Sequence, residues 1–192
     1  MKNILSIDTV FGACAVGVMA GDRTASRIEP MQRGQSERLM PMILDVVAEA
    51  GITIQDLNLI VVNVGPGSFT GVRVGIATAR GIALGLNIPV QGVCACDALA
   101  NMVQVNKLPG YDQPLRVSID SGRDDYFVAD YEPGDLSPID PLGIKILSDI
   151  VHSIKTMIGV DVILASGDMP YPIILAGSGV RLYTDQSYAL WS

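Results

Sequence analysis

The sequence predicts an α/β fold of two similar lobes, each a mixed sheet with helices. Three observations carry that prediction. Ser6-Ile7-Asp8-Thr9 is echoed by Ser118-Ile119-Asp120-Ser121, and in both places an apolar strand ends at the aspartate, turns at a glycine and continues as a second strand. Strands and helices then alternate along the chain, the pattern of layered mixed sheets. Leu57 to Val64 is a largely apolar run, as expected of a strand buried on both faces. The lobes are predicted at 1–104 and 105–192, joined through "VNKLPGYDQP", Val105 to Pro114.

In chain order, "ILSIDTVFGACAVGVM" reads as a strand ending at Asp8, a turn around Gly12 and a strand from Ala13 to Met19. Ser36 to Ala50 reads as a helix, closed by Gly51, the residue type favoured just past a C-terminus. After the apolar strand come the glycine loop "GPGSFTG", a helix to about Leu86, a short strand at Pro89 to Val93 and a helix at Asp97 to Val103. The second hairpin turns around Gly122 and ends at Tyr131, and "PGDLSPIDPLG" is turn-rich. Ser148 to Ile158 reads as a helix, Val160 to Ala165 and Pro172 to Ala176 as strands, and Gly177 onward as a turn into a short helix.

Composition narrows the function. The 192 residues are 49% hydrophobic and only 17% charged, enough to bury a large core and leave apolar surface for a partner. Charged residues interrupt every apolar run short of a membrane span, and the N-terminus reads as a first strand rather than a secretion signal, so a cytoplasmic protein is expected. A formal charge of −7 makes a poor footprint for independent RNA or DNA binding. Cys14, Cys94 and Cys96 sit in apolar runs without a C-x-x-C pair and read as buried thiols of a reducing compartment.

Catalytic chemistry is hard to find. The loop lacks the lysine of a phosphate-gripping Walker motif, and Gly71 comes one residue late for the third glycine of G-x-G-x-x-G. What remains is a strand, a tight turn and a helix N-terminus. His152, the single histidine, reads as a solvated residue on a polar helix face; a helical zinc motif needs two histidines one turn apart. No catalytic set and no metal site are expected. Asp8 and Asp120 could reach Mg²⁺ through water, or each could cap its own turn.

Both long helices carry more apolar surface than one sheet needs. Leu39, Ile43, Val46, Val47 and Ala50 form one stripe of the first, with Met40, Met42 and Leu44 outside it. In the second, Gly71, Gly75, Ala79 and Ala83 recur every fourth residue, and Ala77, Gly81 and Gly85 do so on another face. Each interior glycine costs a helix about 0.5–1 kcal/mol relative to alanine. Close approach of another backbone would offset that loss.

"ILSIDTVFGACAV", "QSERLMPMI", "GPGSFTGVRVGIATARGIAL", "NIPVQGV", "VSIDSGRDDYF" and "LAGSGVRLY" together resemble one family, TsaB, also called YeaZ. The resemblance spans nearly the whole chain, and GPGSFTG followed by V-R-V-G is its most distinctive part. It implies an actin-like, ribonuclease H-like duplicated fold. It also implies a non-catalytic partner subunit that activates TsaD, the catalytic subunit that makes threonylcarbamoyladenosine beside the tRNA anticodon. TsaE, an ATPase, is the further partner implied, and a homodimer is expected when TsaD is absent.

By that resemblance the helices Ser36–Ala50 and Gly71–Leu86 form the interface. The contacts expected are Leu39, Ile43, Val46, Val47 and Ala50 on the first, with Val72, Ile76, Ala79, Arg80 and Ala83 on the second. No tightly bound cofactor is expected, with ATP or ADP and Mg²⁺ open at a shared interface. The alternative is an ATP-binding enzyme of the actin-like or kinase fold using an interlobe cleft. Its phosphate contacts would be Asp8, Thr9, Gly65, Gly67, Ser68, Thr70, Gly177 and Gly179. The chain departs from the family in three places. Gln35 stands where relatives often have histidine, and Asp120-Ser121-Gly122-Arg123 where they read D-A-R-R. It also stops at Trp191-Ser192, where relatives continue into another helix and a tail, so an incompletely covered second lobe is expected.

Overall fold

Alternating burial along the first strands builds the first sheet. In the computed structural model, residues 2–31, 33–105, 115–120, 125–132, 143–146 and 173–176 are described. The chain divides into two compact units, Met1–Ala95 and Cys96–Ser192. The first contains β1 (Asn3–Asp8), β2 (Ala13–Ala20), β3 (Arg23–Pro30), α1 (Gln35–Glu49), β4 (Leu59–Asn63), α2 (Phe69–Leu86) and β5 (Val90–Val93). Its sheet has the order β3-β2-β1-β4-β5. β1, β2 and β3 form an antiparallel meander, while β4 pairs parallel to β1 and β5 parallel to β4.

Leu5 and Ile7 point to one face of β1, joined there by Val16 and Val18 of β2 and Ile60 and Val62 of β4. α1 and α2 cover that face. Leu39, Met42, Ile43, Val46 and Val47 come from α1, and Ala79 and Ala83 from α2. Met42, expected outside the stripe of α1, is fully buried with it. Truncating Leu39 to alanine in this packing costs about 2–5 kcal/mol.

The helix ends follow local chemistry. Gly51, at φ 71°, closes α1, and its N–H donates to the Ala48 carbonyl at 2.9 Å. Ser68 caps α2 by accepting the Gly71 N–H at 3.2 Å, and Asn87 ends it in the left-handed region at φ 54°. Pro41 lies inside α1, which begins at Gln35. Proline lacks an N–H, so the backbone bond it would give to the Glu37 carbonyl is absent.

β3 carries no strand signal in the sequence. Its segment "RTASRIEP" mixes three charges with small residues, and the strand is held at the sheet edge by neighbours instead. It pairs with β2 over its whole length, and its charged side chains reach α1. Arg27 donates to Asp45 at 2.7 Å and to Glu49, while Arg38 pairs with Glu29 and holds that carboxyl below its ordinary range.

The second unit contains most of α3 (Ala95–Val105), then β6 (Leu115–Asp120), β7 (Asp125–Tyr131), β8 (Gly143–Ile146) and β9 (Ile173–Ala176), in a sheet of order β8-β7-β6-β9. The meander β6-β7-β8 repeats that of β1-β2-β3, and β6 ends at Asp120 as β1 ends at Asp8. One difference breaks the repeat: β9 runs antiparallel to β6, so its chain enters from the end opposite to that used by β4. Within this unit the buried Tyr131 hydroxyl donates to Asp97 at 2.6 Å, fastening α3 to β7. The first unit is the mixed α/β sheet with covering helices expected from the sequence, and the described strands of the second pair antiparallel. The linker from 106, the turn at Gly122, the helix at Ser148 to Ile158, the strand at Val160 to Ala165 and the turn at Gly177 lie outside the described residues.

Cys14 and Cys96 are buried, Cys94 is half-buried, and none is in a disulfide. Burial, with the carboxylates of Glu29 and Asp8 against it, pushes the Cys14 thiol up to about 11 despite the opposing Arg38. At pH 8 Cys14 should react with iodoacetamide at least about a hundredfold more slowly than after denaturation, by its smaller thiolate fraction. Equal rates, read by mass spectrometry, would contradict its burial.

Candidate functional site

The glycine loop is filled by its own chain. Gly67 takes φ 154°, and a Cβ on it would lie 2.7 Å from the Val10 carbonyl oxygen. At Gly71 a methyl group would fall inside the Thr9 carbonyl oxygen, and at Gly75 it would lie 2.8 Å from Thr9 Oγ1. The first turn of α2 therefore rests directly on the turn between β1 and β2. Buried Thr9 donates its hydroxyl to the Gly71 carbonyl at 2.6 Å, and Ser68 N–H donates to the Val10 carbonyl at 2.9 Å.

Asp8 closes the other side of this contact. Its Oδ1 accepts the Val10 N–H at 2.9 Å and its Oδ2 the Asn63 amide N–H at 2.8 Å. Asn63 in turn accepts the Gly65 N–H at 2.9 Å. Burial raises the Asp8 carboxyl above its ordinary value, against the pull of those two donors.

Five of the residues offered by the sequence for a phosphate, Asp8, Thr9, Gly65, Gly67 and Ser68, gather at this turn. Several of their polar groups serve one another, and the Thr9 and Val10 backbone lies against the Cα side of Gly67 and Gly71. Thr70 is exposed. Gly177, Gly179 and His152 lie outside the described residues, and among the described residues no group of three or more metal-ligating side chains gathers.

The partner contacts expected on the helices need correction. Leu39, Ile43, Val46, Val47, Ala50, Ala79 and Ala83 are at most 5% exposed, packed within this chain. The sheet needs an apolar cover, and the most regular stripe of each helix supplies it. Val72 and Ile76 are half-buried, and only Arg80 of the set is exposed. The outward surface consists of residues that periodicity alone left aside. Met40 and Leu44 of α1 are 37% and 51% exposed, and Leu84 of α2 is 85% exposed.

Around Leu84, among the described residues, a Cβ on Gly81 or Gly85 would meet nothing within 4 Å. Ala77 continues that small-residue row. Phe69, 67% exposed, lies under the Arg73 guanidinium at 3.7 Å from the ring centre. Arg73 and Arg80 are the only charged residues between Leu57 and Cys96, so the face is apolar, small and basic. The sequence signal that could have found it is the second small-residue period, Ala77, Gly81 and Gly85, which no internal packing explains.

A family model described as "TsaD: tRNA N6-adenosine threonylcarbamoyltransferase" matches residues 24–167. The chain is 38% identical over 97 residues to the tRNA threonylcarbamoyladenosine biosynthesis protein TsaB of Escherichia coli (strain K12), covering 50% of this chain and 42% of that protein. It is 35% identical over 102 residues to the TsaB protein of Haemophilus influenzae, covering 52% of this chain and 43% of that protein. The matches thus span less than half the length of these curated relatives. Among solved structures, YeaZ from Pseudomonas aeruginosa superposes with a TM-score of 0.67 at 28% identity, covering 75% of this chain and 67% of that one.

Proposed function

Because this chain belongs to the TsaB/YeaZ family, we propose that it is a non-catalytic partner subunit in the synthesis of threonylcarbamoyladenosine on tRNA. It binds and activates a TsaD-type catalytic subunit through the outward faces of α1 and α2. One observation carries the reading: α2 presents a row of small residues with open space above it, flanked by an exposed leucine, on a helix whose other face is already satisfied. Glycines that cost helix stability and meet nothing among the described residues are explained by a second backbone lying against them.

In this role the chain contributes shape rather than reacting groups. The packed loop sets where α2 begins, α2 positions the partner, and tRNA is met through the complex. A TsaE-type ATPase joins the same assembly, all of it in the cytoplasm. Without a catalytic subunit the same surface pairs two copies of the chain. No helix among the described residues is long and apolar enough to cross a membrane.

Size-exclusion chromatography of the chain with and without a purified TsaD-type subunit, followed by a threonylcarbamoylation assay on tRNA, tests the reading. A stoichiometric co-eluting complex with activity above that of the catalytic subunit alone is the expected result. Separate elution with unchanged activity would end it.

A further inference from the structure

The hydrogen bonds that hold the glycine loop have a direction, and Asp8 sets it. Gly65 N–H is a backbone donor, so Asn63 must turn its amide oxygen toward Gly65, at 2.9 Å. Its NH₂ then faces residue 8, at 2.8 Å from Asp8 Oδ2. Val10 N–H reaches the other oxygen of the same group at 2.9 Å. Residue 8 therefore has to accept twice and donate nothing. Among side chains of this size only an ionised carboxylate does so; asparagine or a protonated acid brings a donor.

We propose that Asp8 is the positioning residue of the partner surface, an acceptor-only latch that fixes the polarity of the chain Asp8–Asn63–Gly65 and thereby the start of α2. Gly65 is where that control is passed on. Its carbonyl accepts the Ala95 N–H at 2.8 Å, so the same residue ties the loop to the beginning of α3. Three residues later Ser68 N–H is held by the Val10 carbonyl, and Ser68 caps α2. With a donor at position 8, Asn63 rotates, Gly65 N–H loses its acceptor, and the loop that launches α2 is no longer pinned. The carboxylate at the end of β1 is thus an internal fixture, not a ligand waiting for a cation.

The proposal rests on the reading of α1 and α2 as a partner surface, and the experiment separates the two. Asp8→Asn, Asn63→Asp and the exchange Asp8→Asn/Asn63→Asp are made in the full chain. Two quantities are read: Gly65 amide hydrogen exchange by ¹⁵N NMR, and affinity for a TsaD-type subunit. In the exchange variant the side-chain amide at position 8 accepts from Val10 and donates to the carboxylate at position 63, whose second oxygen accepts from Gly65. Every hydrogen bond is restored, with the charge moved from β1 to β4.

Asp8→Asn should speed Gly65 exchange and weaken the complex, each roughly tenfold or more, the usual consequence of losing one charge-assisted hydrogen bond. Asn63→Asp alone, which sets two carboxylates face to face, should do the same. The exchange variant should return both readouts to within about threefold of the original chain. Global stability is not the readout, because removing a partly buried charge offsets part of the loss. Unchanged Gly65 exchange in Asp8→Asn overturns the latch, as does a folded exchange variant that restores neither quantity. If the original chain does not bind the catalytic subunit, the partner reading falls and the positioning role with it, while Gly65 exchange still decides the hydrogen-bond polarity.

Discussion

Gly71→Ala is expected to lose on the order of 3 kcal/mol of stability, the cost of overpacking at a site that cannot relax. On an ordinary helix the same change would gain about 0.5–1 kcal/mol. Here the new methyl group meets the Thr9 carbonyl, backbone in the turn joining β1 to β2. Moving α2 outward would break the Thr9–Gly71 hydrogen bond and lift Ala79 and Ala83 from the core. Urea denaturation followed by circular dichroism measures the loss. A midpoint within error of the original chain would show that α2 does not rest on that turn.

Gly81 should behave in the opposite way. Its position meets nothing within 4 Å, so Gly81→Ala is expected to stabilise the isolated chain by about 0.5–1 kcal/mol. Gly81→Leu keeps the fold but fills the row over which a second helix must lie. The complex with a TsaD-type subunit should weaken roughly tenfold to a hundredfold, since forcing a bulky side chain into a close contact costs about 1–3 kcal/mol. Titration of labelled chain gives the affinity, and thermal melting confirms the fold. Undiminished binding by Gly81→Leu would move the interface off α2. The pair of glycines, on one helix, separates an internal contact from an external one.

Much of the fold could be read from the sequence where burial imposes a period. The Leu39–Val47 stripe, the apolar run of β4 and the hairpin ending at Asp8 each follow directly from which side chains face the core. β3 could not be read that way, because an edge strand answers to its neighbours: Arg27 and Glu29 are placed by α1, not by any alternation of their own. The candidate surface inverts the reading of the helices. The strongest apolar periodicity marks the face the chain uses for itself, so Ile43 and Ala79 point inward while the weaker set, Leu44, Ala77 and Gly81, faces out. Which of two small-residue rows lies on the sheet depends on the rotation of α2, and that is set by Thr9 and Gly71, far apart in sequence. The Asp8–Asn63–Gly65 chain was hidden for the same reason: its members are brought together only when β1 and β4 pair.

The outermost strand of the first sheet carries one more consequence. Among the described residues no further strand lies beyond β3, which leaves a rim of peptide groups, the kind of border onto which foreign strands add during fibril growth. Arginine and glutamate side chains tether that rim to a helix, and cations along it repel a like neighbour. The charges that obscure the strand in the primary structure thus guard the molecule against amyloid-like stacking, and neutralising Arg27 together with Glu29 should shorten the lag before thioflavin-positive aggregates form.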